Sequence, residues 1–350
     1  MTATLSVDGR RVGHGEPTYV VAELSANHGG RFDDAVSLVR AAKEAGADAV
    51  KLQTYTPDTI TIDSDRPEFL IAGGSPWDGR RLHDLYAQAY MPWDWQPKLK
   101  ALADDLGIHL FSTPFDPTAV DFLEAMKVPA YKIASLELVD IPLVRRVALT
   151  GKPVLMSTGA STFVEIEEAV VAVRATGNRA LALLKCTSAY PAPPDEMNLA
   201  TIPHLSAEFD VPVGLSDHTL SITVPVAAVA LGACIVEKHL TLSRSAHSPD
   251  SAFSLEPDEF RAMVDAVHEA EAALGKVSYE ITEHEATSRE FHRSLYVVRD
   301  MKAGELFTDY NVRSIRPGNG LPPKYLDEIR GRLAGRDIAA GTPLGWDLLG

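Results

Sequence analysis

At 350 residues the chain is longer than one small domain and suits one large domain followed by a small one. Hydrophobic residues make up 45% and charged residues 23%, an ordinary globular balance with ample material for a core. A formal net charge of −15 with no dense Lys/Arg run argues against a nucleic-acid surface, although a few lysines inside a pocket can still bind an anion.

The opening stretch, MTATLSVDGRRVGHGEP, lacks the apolar core of a signal peptide, and no run is long enough to cross a bilayer, so the cytoplasm is the default location. The two cysteines, Cys186 and Cys234, make neither a disulfide framework nor, alone, a zinc site. From Tyr19 short apolar runs alternate with longer amphipathic stretches. Strands are predicted over Tyr19–Ser25, Ala49–Gln53, His109–Ser112, Ala130–Ile133, Pro153–Ser157, Ala180–Thr187, Pro212–Ser216 and Cys234–His239. Their near-continuous apolar cores fit strands buried on both faces. Helical periodicity fills the gaps: AVSLVRAAKEAGA up to Gly46, WDWQPKLKALADDLG up to Gly107, FVEIEEAVVAVRATG, TVPVAAVALG and EPDEFRAMVDAVHEAEAALG.

Eight strands alternating with helices over roughly 250 residues predict a (β/α)8 TIM barrel. A doubly wound sheet is the competitor, but the Gly-rich phosphate loop expected after its first strand is missing. Residues 58–90 break the repeat and read as a long insertion between strand and helix, of the kind that builds barrel active-site loops. After Gly275 the pattern changes. Residues 276–290 are polar and read as a linker with some helix. Residues 291–350 carry short β-like runs, SLYVVRD and DIAAGTPL, among turn signals. The predicted division is thus a barrel over 1–275, a linker over 276–290 and a small β-rich domain over 291–350. A domain that small buries little core and is expected to lean on something else.

Polar residues cluster at the predicted C-terminal strand ends, where barrels of this type place their chemistry. Strand one ends in Glu23, Ser25, Asn27 and His28, and strand two in Lys51 and Gln53. Strand four ends in Lys132, Ser135 and Glu137, and strand five in Ser157 and Thr158. Strand six ends in Lys185, Thr187, Ser188 and Tyr190, strand seven in Ser216, Asp217 and His218, and strand eight in Glu237, Lys238 and His239. Such a ring is hard to explain as packing. Lys51 and Lys132 with the hydroxyls of Ser135, Ser157, Ser188 and Ser216 suit a phosphate, through charge-assisted hydrogen bonds. The bland alternative is a structural ion pair of either lysine with Glu23 or Glu137. His218 and His239, closing consecutive strands, can share one divalent metal with water completing the shell. That donor set suits Mn²⁺ foremost, with Mg²⁺, Co²⁺ or Zn²⁺ as alternatives. Glu23 and Glu137 are acid/base candidates, or else partners that orient a Lys or His.

The segments AELSANHGG, VKLQTYTPDT, FSTPFD, YKIASLE, STGAS, LKCTSAYPAP, GLSDHT, EKHLTL and PDSAFSLEPDEF resemble, in order, the barrel of sialic acid synthases. RSLYVVRDMKAGELFT and RSIRPGNGLPPKYLDEIRG resemble the antifreeze-like (SAF) domain appended to that barrel. The resemblance runs from about Tyr19 to the C-terminus. It implies metal ligands at His218 and His239, and phosphoenolpyruvate contacts at Lys51, Lys132, Ser135, Ser157 and Ser216. It also implies a carboxylate beside metal and sugar at Glu23, an acid/base at Glu137, and sugar-side positions at Tyr190 and Asp250, with Gln53 grouped among them. Arg316, in RPGNG, would be inserted into the partner's active site in a homodimer with exchanged SAF domains. One departure is Ser188, which stands where the N-acetylneuraminate type carries Asn. A serine there still binds phosphate, with less reach. Together with LKCTSAYPAP and the ending GTPLGWDLL, it resembles the pseudaminic acid branch and implies 2,4-diacetamido-2,4,6-trideoxy-L-altrose as the sugar. N-acetylmannosamine and the legionaminic precursor are the runners-up. Two rivals remain from other classes. One is a metal-free Schiff-base aldolase using Lys51 or Lys132. The other is a sugar- or ice-binding protein, which has no need of lysines and histidines at strand ends.

Overall fold

The computed structural model describes residues 4–72, 77–246 and 248–350. The chain divides into two compact units, Met1–Gly275 and Lys276–Gly350.

The first unit begins with a hairpin, β1 (Thr4–Val7) and β2 (Arg10–Gly13). Its two-residue turn, Asp8-Gly9, has φ of 46° and 83°, and that sign matches the twist of a tight hairpin. The Asp-Gly pair is the sequence signal for this hairpin. Leu5, Val7 and Val12 of the hairpin join the same packed cluster as Tyr19, the first residue of β3. The hairpin therefore packs near the end where the strands begin.

Eight parallel strands follow: β3 (Tyr19–Glu23), β4 (Ala49–Thr54), β5 (His109–Pro114), β6 (Tyr131–Ile133), β7 (Val154–Ser157), β8 (Leu181–Cys186), β9 (Val213–Asp217) and β10 (Ile235–His239). They close into a barrel in chain order, with β10 pairing back onto β3. The competing doubly wound sheet is excluded. The strands lie within two residues of their predicted bounds. Ser25, predicted inside the first strand, falls beyond its end with φ of 40°.

Helices α1 (Phe32–Glu44), α2 (Pro57–Ile60), α3 (Leu82–Ala89), α4 (Gln96–Leu106), α5 (Pro117–Ala125), α6 (Ile141–Ala148), α7 (Phe163–Ala175), α8 (Thr201–Phe209), α9 (Thr223–Ala230) and α10 (Pro257–Leu274) complete the unit. Residues along β3 alternate between clusters. Val20 and Ala22 pack with Leu38 of α1 and Met263 of α10, whereas Tyr19 and Val21 belong to the other cluster. Glu23 continues the second series and reaches the barrel mouth. Periodicity alone did not single out α5, α6 or α8. Two of them carry start signals: Asp116 accepts from the Thr118 and Ala119 amides, Asp140 accepts from Leu143, and a proline stands in each first turn.

The second unit holds α11 (Glu283–Arg289) and an antiparallel pair, β11 (Ser294–Val297) with β12 (Val312–Ile315). A short helix, α12 (Leu326–Ile329), and bridges such as Met301 with Ile338 tie the rest together. Leu295, Val297, Phe307, Ile329, Leu344 and Leu348 lie in one buried cluster. The expectation of little core is corrected here: this unit packs a compact core of its own.

Candidate active site

A cavity of about 410 Å³ opens at the C-terminal ends of the barrel strands. Glu23, Lys51, Gln53, Lys132, Ser135, Glu137, Ser157, Tyr190, Ser216, His218, His239 and Asp250 all line it. Strand register sets this convergence: His239 pairs with Glu23, Glu23 with Lys51, and Ser216 with Glu237. Two predicted residues stand apart. Ser188 lines an adjoining depression with Lys185 and Thr187. Arg316 belongs to the second unit, followed by a cis peptide bond to Pro317.

Ser188 is nevertheless next to the cavity. A Cβ on Gly159 would lie 2.4 Å from Ser188 Oγ, 2.8 Å from Ser135 Oγ and 3.1 Å from Cys186 Sγ. The Gly159 amide donates to Ser135 Oγ at 3.1 Å. Glycine at this turn lets two hydroxyls close over bare backbone.

The two lysines differ. Lys51 Nζ stands 3.0 Å from Glu23 Oε2 and 3.3 Å from Glu237 Oε1, so the ion pair that the sequence left open is formed. Burial pushes Lys51 down, but the two carboxylates outweigh it and hold the ammonium above its ordinary range. Lys132 Nζ donates to the Ile133 carbonyl at 2.9 Å, and burial pushes it down to about 8. Gln53 Nε2 donates to Glu23 Oε1 at 2.9 Å, and Ser216 Oγ donates to Glu237 Oε1 at 2.9 Å. Burial raises Glu23 to about 6 against the pull of Lys51, and raises Glu137 to about 6. For Glu237, Lys132 and Lys51 outweigh burial and hold it below the usual carboxylate range.

This cluster is not saturated. Among the described residues, five buried side-chain atoms have no hydrogen-bond partner: Glu23 Oε2, His28 Nε2, Ser157 Oγ, Ser188 Oγ and Glu237 Oε2. Glu23 Oε2 is within ion-pair distance of Lys51 but outside hydrogen-bond geometry. Three of the five belong to cavity-lining residues and a fourth, on Ser188, borders the cavity. Orphaned buried polar atoms are costly, and their gathering around one cavity marks where a polar ligand would sit.

His218 and His239 face each other with ring centroids 5.3 Å apart. His218 Nδ1 lies 2.9 Å from the Thr187 carbonyl, which accepts its proton. Burial pushes the imidazole down, but Cys186 and that carbonyl outweigh it and hold the ring above its ordinary range. In its neutral form Nε2 keeps the lone pair. His239 Nδ1 lies 3.2 Å from Ser25 Oγ, which also bonds the Asp250 carboxylate. Where Nδ1 donates to that hydroxyl, His239 presents Nε2. Burial, with the neighbouring cations, keeps His239 well below the ordinary imidazole range and hence neutral. The two imidazoles are the nitrogen donors that a divalent metal would use here. Among the described residues no group of three or more His, Cys, Asp or Glu is placed to hold a metal ion, so a metal on these two imidazoles would need ligands from outside the set. Burial pushes the Cys186 thiol up, but His218 at 4.0 Å outweighs it, and the thiol sits at about 7.

Ser25, Cys186 and Glu237 were not singled out as site residues. Glu237 and Ser25 were visible at strand ends, but so were Asp217 and Lys238. These last two pair with each other at 2.6 Å, fully buried, and Lys238 also donates to the Thr219 carbonyl. That pair braces the loop carrying His218, so part of the polar ring is packing after all. An apolar wall from the insertion was also unforeseen: Ile60, Ile71, Leu82 and Leu85 line the mouth beside Tyr55, Tyr86 and Phe115.

The NeuB family model matches residues 38–279, and the SAF domain model matches residues 292–350. The chain is 46% identical over 326 residues to a pseudaminic acid synthase of Campylobacter jejuni, covering 93% of this chain and 95% of that one. It is 35% identical to an N,N'-diacetyllegionaminic acid synthase of Legionella pneumophila, covering 94% of each. Among solved structures, the spore coat polysaccharide biosynthesis protein SpsE of Bacillus subtilis superposes with a TM-score of 0.68 at 33% identity, covering 99% of both chains.

Proposed function

The chain belongs to the NeuB family and ends in a SAF domain, and on that premise we propose that it is a pseudaminic acid synthase-type enzyme. It condenses phosphoenolpyruvate with 2,4-diacetamido-2,4,6-trideoxy-L-altrose and water, releasing phosphate and a nine-carbon sialic-type acid. The observation that carries this reading is the unsaturated polar cluster, where buried lysines, serine hydroxyls and half-satisfied carboxylates surround one cavity. The choice of sugar is supported by identity to the Campylobacter pseudaminic acid synthase, 46% against 35% for the legionaminic one.

Lys132 is the principal phosphate anchor. Lys51 stands within ion-pair distance of two carboxylates, while Lys132 bonds the Ile133 carbonyl and, among the described residues, has no carboxylate within that distance. Ser135, Ser157, Ser188 and Ser216 offer further donors. His218 and His239 would hold a divalent metal, Mn²⁺ foremost, which when bound supplies Lewis-acid polarisation of the open-chain aldehyde. Carbon 3 of phosphoenolpyruvate bonds to the aldehyde carbon, whose oxygen takes up a proton. Water adds at carbon 2 and gives up a proton. The bond from carbon 2 to the phosphate oxygen then breaks, phosphate leaves with the electron pair, and the remaining hydroxyl becomes the ketone. Glu23 and Glu137, raised to about 6, are poised to give and take these protons near neutral pH. Lys132 offsets the charge on the departing phosphate.

The working unit of this reading is a homodimer with exchanged SAF domains, in which Arg316 completes the partner's sugar site. A phosphate-release assay with phosphoenolpyruvate and a panel of sugars tests the reaction. The diacetamido trideoxy sugar should give the highest specificity constant, and chelation should abolish release until Mn²⁺ is returned. A preference for N-acetylmannosamine would overturn the sugar assignment. Full activity in a chelated sample would overturn the role of the histidines and favour a Schiff-base aldolase.

A further inference from the structure

The insertion after β4 interleaves charged residues with aliphatic and aromatic ones, and it presents an apolar face to the cavity. Of its residues between 55 and 90, the described ones that line the cavity are Tyr55, Ile60, Ile71, Ala72, Trp77, Leu82, Leu85, Tyr86 and Ala89. None is charged, and the side-chain polar atoms among them are the phenol oxygens of Tyr55 and Tyr86 and the indole nitrogen of Trp77. The segment's many charged groups are engaged elsewhere: Arg81 with Asp63, Asp65 and Asp84, Arg66 with Glu68, and His83 with Asp58. The fold therefore sorts the segment, with its ion pairs outward and its aliphatic carbon inward. Ile60, Ile71 and Leu82 are only half-buried, so they retain surface that a ligand could cover.

The cavity thus has two ends of opposite character. Lys51, Lys132, Glu23 and Glu237 make its base, and the insertion makes its mouth. Aromatic contacts join them: Tyr190 stacks 4.3 Å from His218, and Trp77 lies 6.1 Å beyond Tyr190. Phosphoenolpyruvate is anionic at both its carboxylate and its phosphate, so it belongs at the base. The sugar aldehyde must meet it there, which turns the far end of the sugar chain toward the insertion. Against the aliphatic patch of Ile60, Ile71 and Leu82 a hydroxyl would lose water without gaining a partner from those side chains, whereas a methyl group would lose nothing.

Resting on the proposed reaction, we infer that the wall formed by Ile71, Leu82 and their neighbours is the specificity determinant that selects a sugar deoxygenated at its terminal carbon. An apolar pocket rejects an added hydroxyl by about 10–100-fold. The test compares 2,4-diacetamido-2,4,6-trideoxy-L-altrose with its counterpart bearing a hydroxyl at carbon 6, in phosphate-release kinetics on the full-length enzyme. The wild-type protein should favour the deoxy sugar by a factor in that range. Leu82→Asn and Ile71→Thr, checked for folding by circular dichroism, should each shrink the preference at least about fivefold. They should leave the KM for phosphoenolpyruvate unchanged. Ile62→Thr is the control, because Ile62 is 58% exposed and does not line the cavity; it should keep the full preference. An undiminished preference in both folded variants would overturn the inference while leaving the reaction standing. A wild-type enzyme that uses neither diacetamido sugar would overturn the sugar reading and this inference together.

Discussion

Lys51 and Lys132 are the same residue type in opposite environments, and the difference gives a pH signature. Lys132 sits at about 8 because burial disfavours its charge, so its ammonium is full below that pH and fades above it. In kcat/KM for phosphoenolpyruvate, which reports the free enzyme, the alkaline limb should fall through about 8. Lys132→Arg, which stays charged, should move that limb upward even where overall activity drops. A limb unchanged in the arginine variant would remove Lys132 from phosphate binding. The lysines, histidines and glutamates that face the cavity were legible as polar residues ending apolar strands. What sequence could not separate was a carboxylate left half-satisfied, such as Glu237, from one consumed by a neighbouring lysine, such as Asp217. That distinction depends on which side chains point together, and strand register alone decides it.

Among the elements, the barrel strands were the most legible, because burial on both faces leaves a near-continuous apolar run. The β1–β2 hairpin and helices α5, α6 and α8 were passed over. The first was signalled by an Asp-Gly turn, and α5 and α6 by an aspartate cap and a proline. The apolar lining of the insertion was not legible, since its charged and apolar residues are interleaved without a clear period and only the folded segment reveals which face turns inward. The turn between β7 and α7 yields a sharp prediction. Gly159→Ala would thrust a methyl against Ser188 and Ser135, so the KM for phosphoenolpyruvate should rise by about tenfold or more, the loss of one charge-assisted contact. Circular dichroism and the unfolding midpoint should stay close to wild type, because the displaced groups are hydroxyl ends. Wild-type phosphoenolpyruvate affinity in that variant would show that the two serines do not grip the phosphate.

For the molecule as a whole, the small unit with its own core and the segment leading into it bear on the proposed exchange between protomers. Val277 and Tyr279, in that segment, are 92% and 97% exposed in the single chain, apolar surface that a partner would cover. Residues 276–290, seven of them helical in α11, span up to roughly 40 Å with the rest extended. Mixing separates exchange from self-service. Arg316→Ala and His218→Ala chains should each be nearly inactive as homodimers. Co-refolded, they should recover one working site per heterodimer, because one barrel keeps both histidines and receives an intact arginine. No recovery in a proven heterodimer would confine Arg316 to its own chain or to no role. The central claim is a condensation that expels phosphate by breaking the bond between carbon 2 and the bridging oxygen. It is tested most directly with phosphoenolpyruvate carrying ¹⁸O at that bridging oxygen, incubated with the enzyme and 2,4-diacetamido-2,4,6-trideoxy-L-altrose. The account predicts that the label appears in the released phosphate, in equal amount to a new nine-carbon acid. Unlabelled phosphate, or a nine-carbon acid formed from pyruvate with no phosphate released at all, would contradict it.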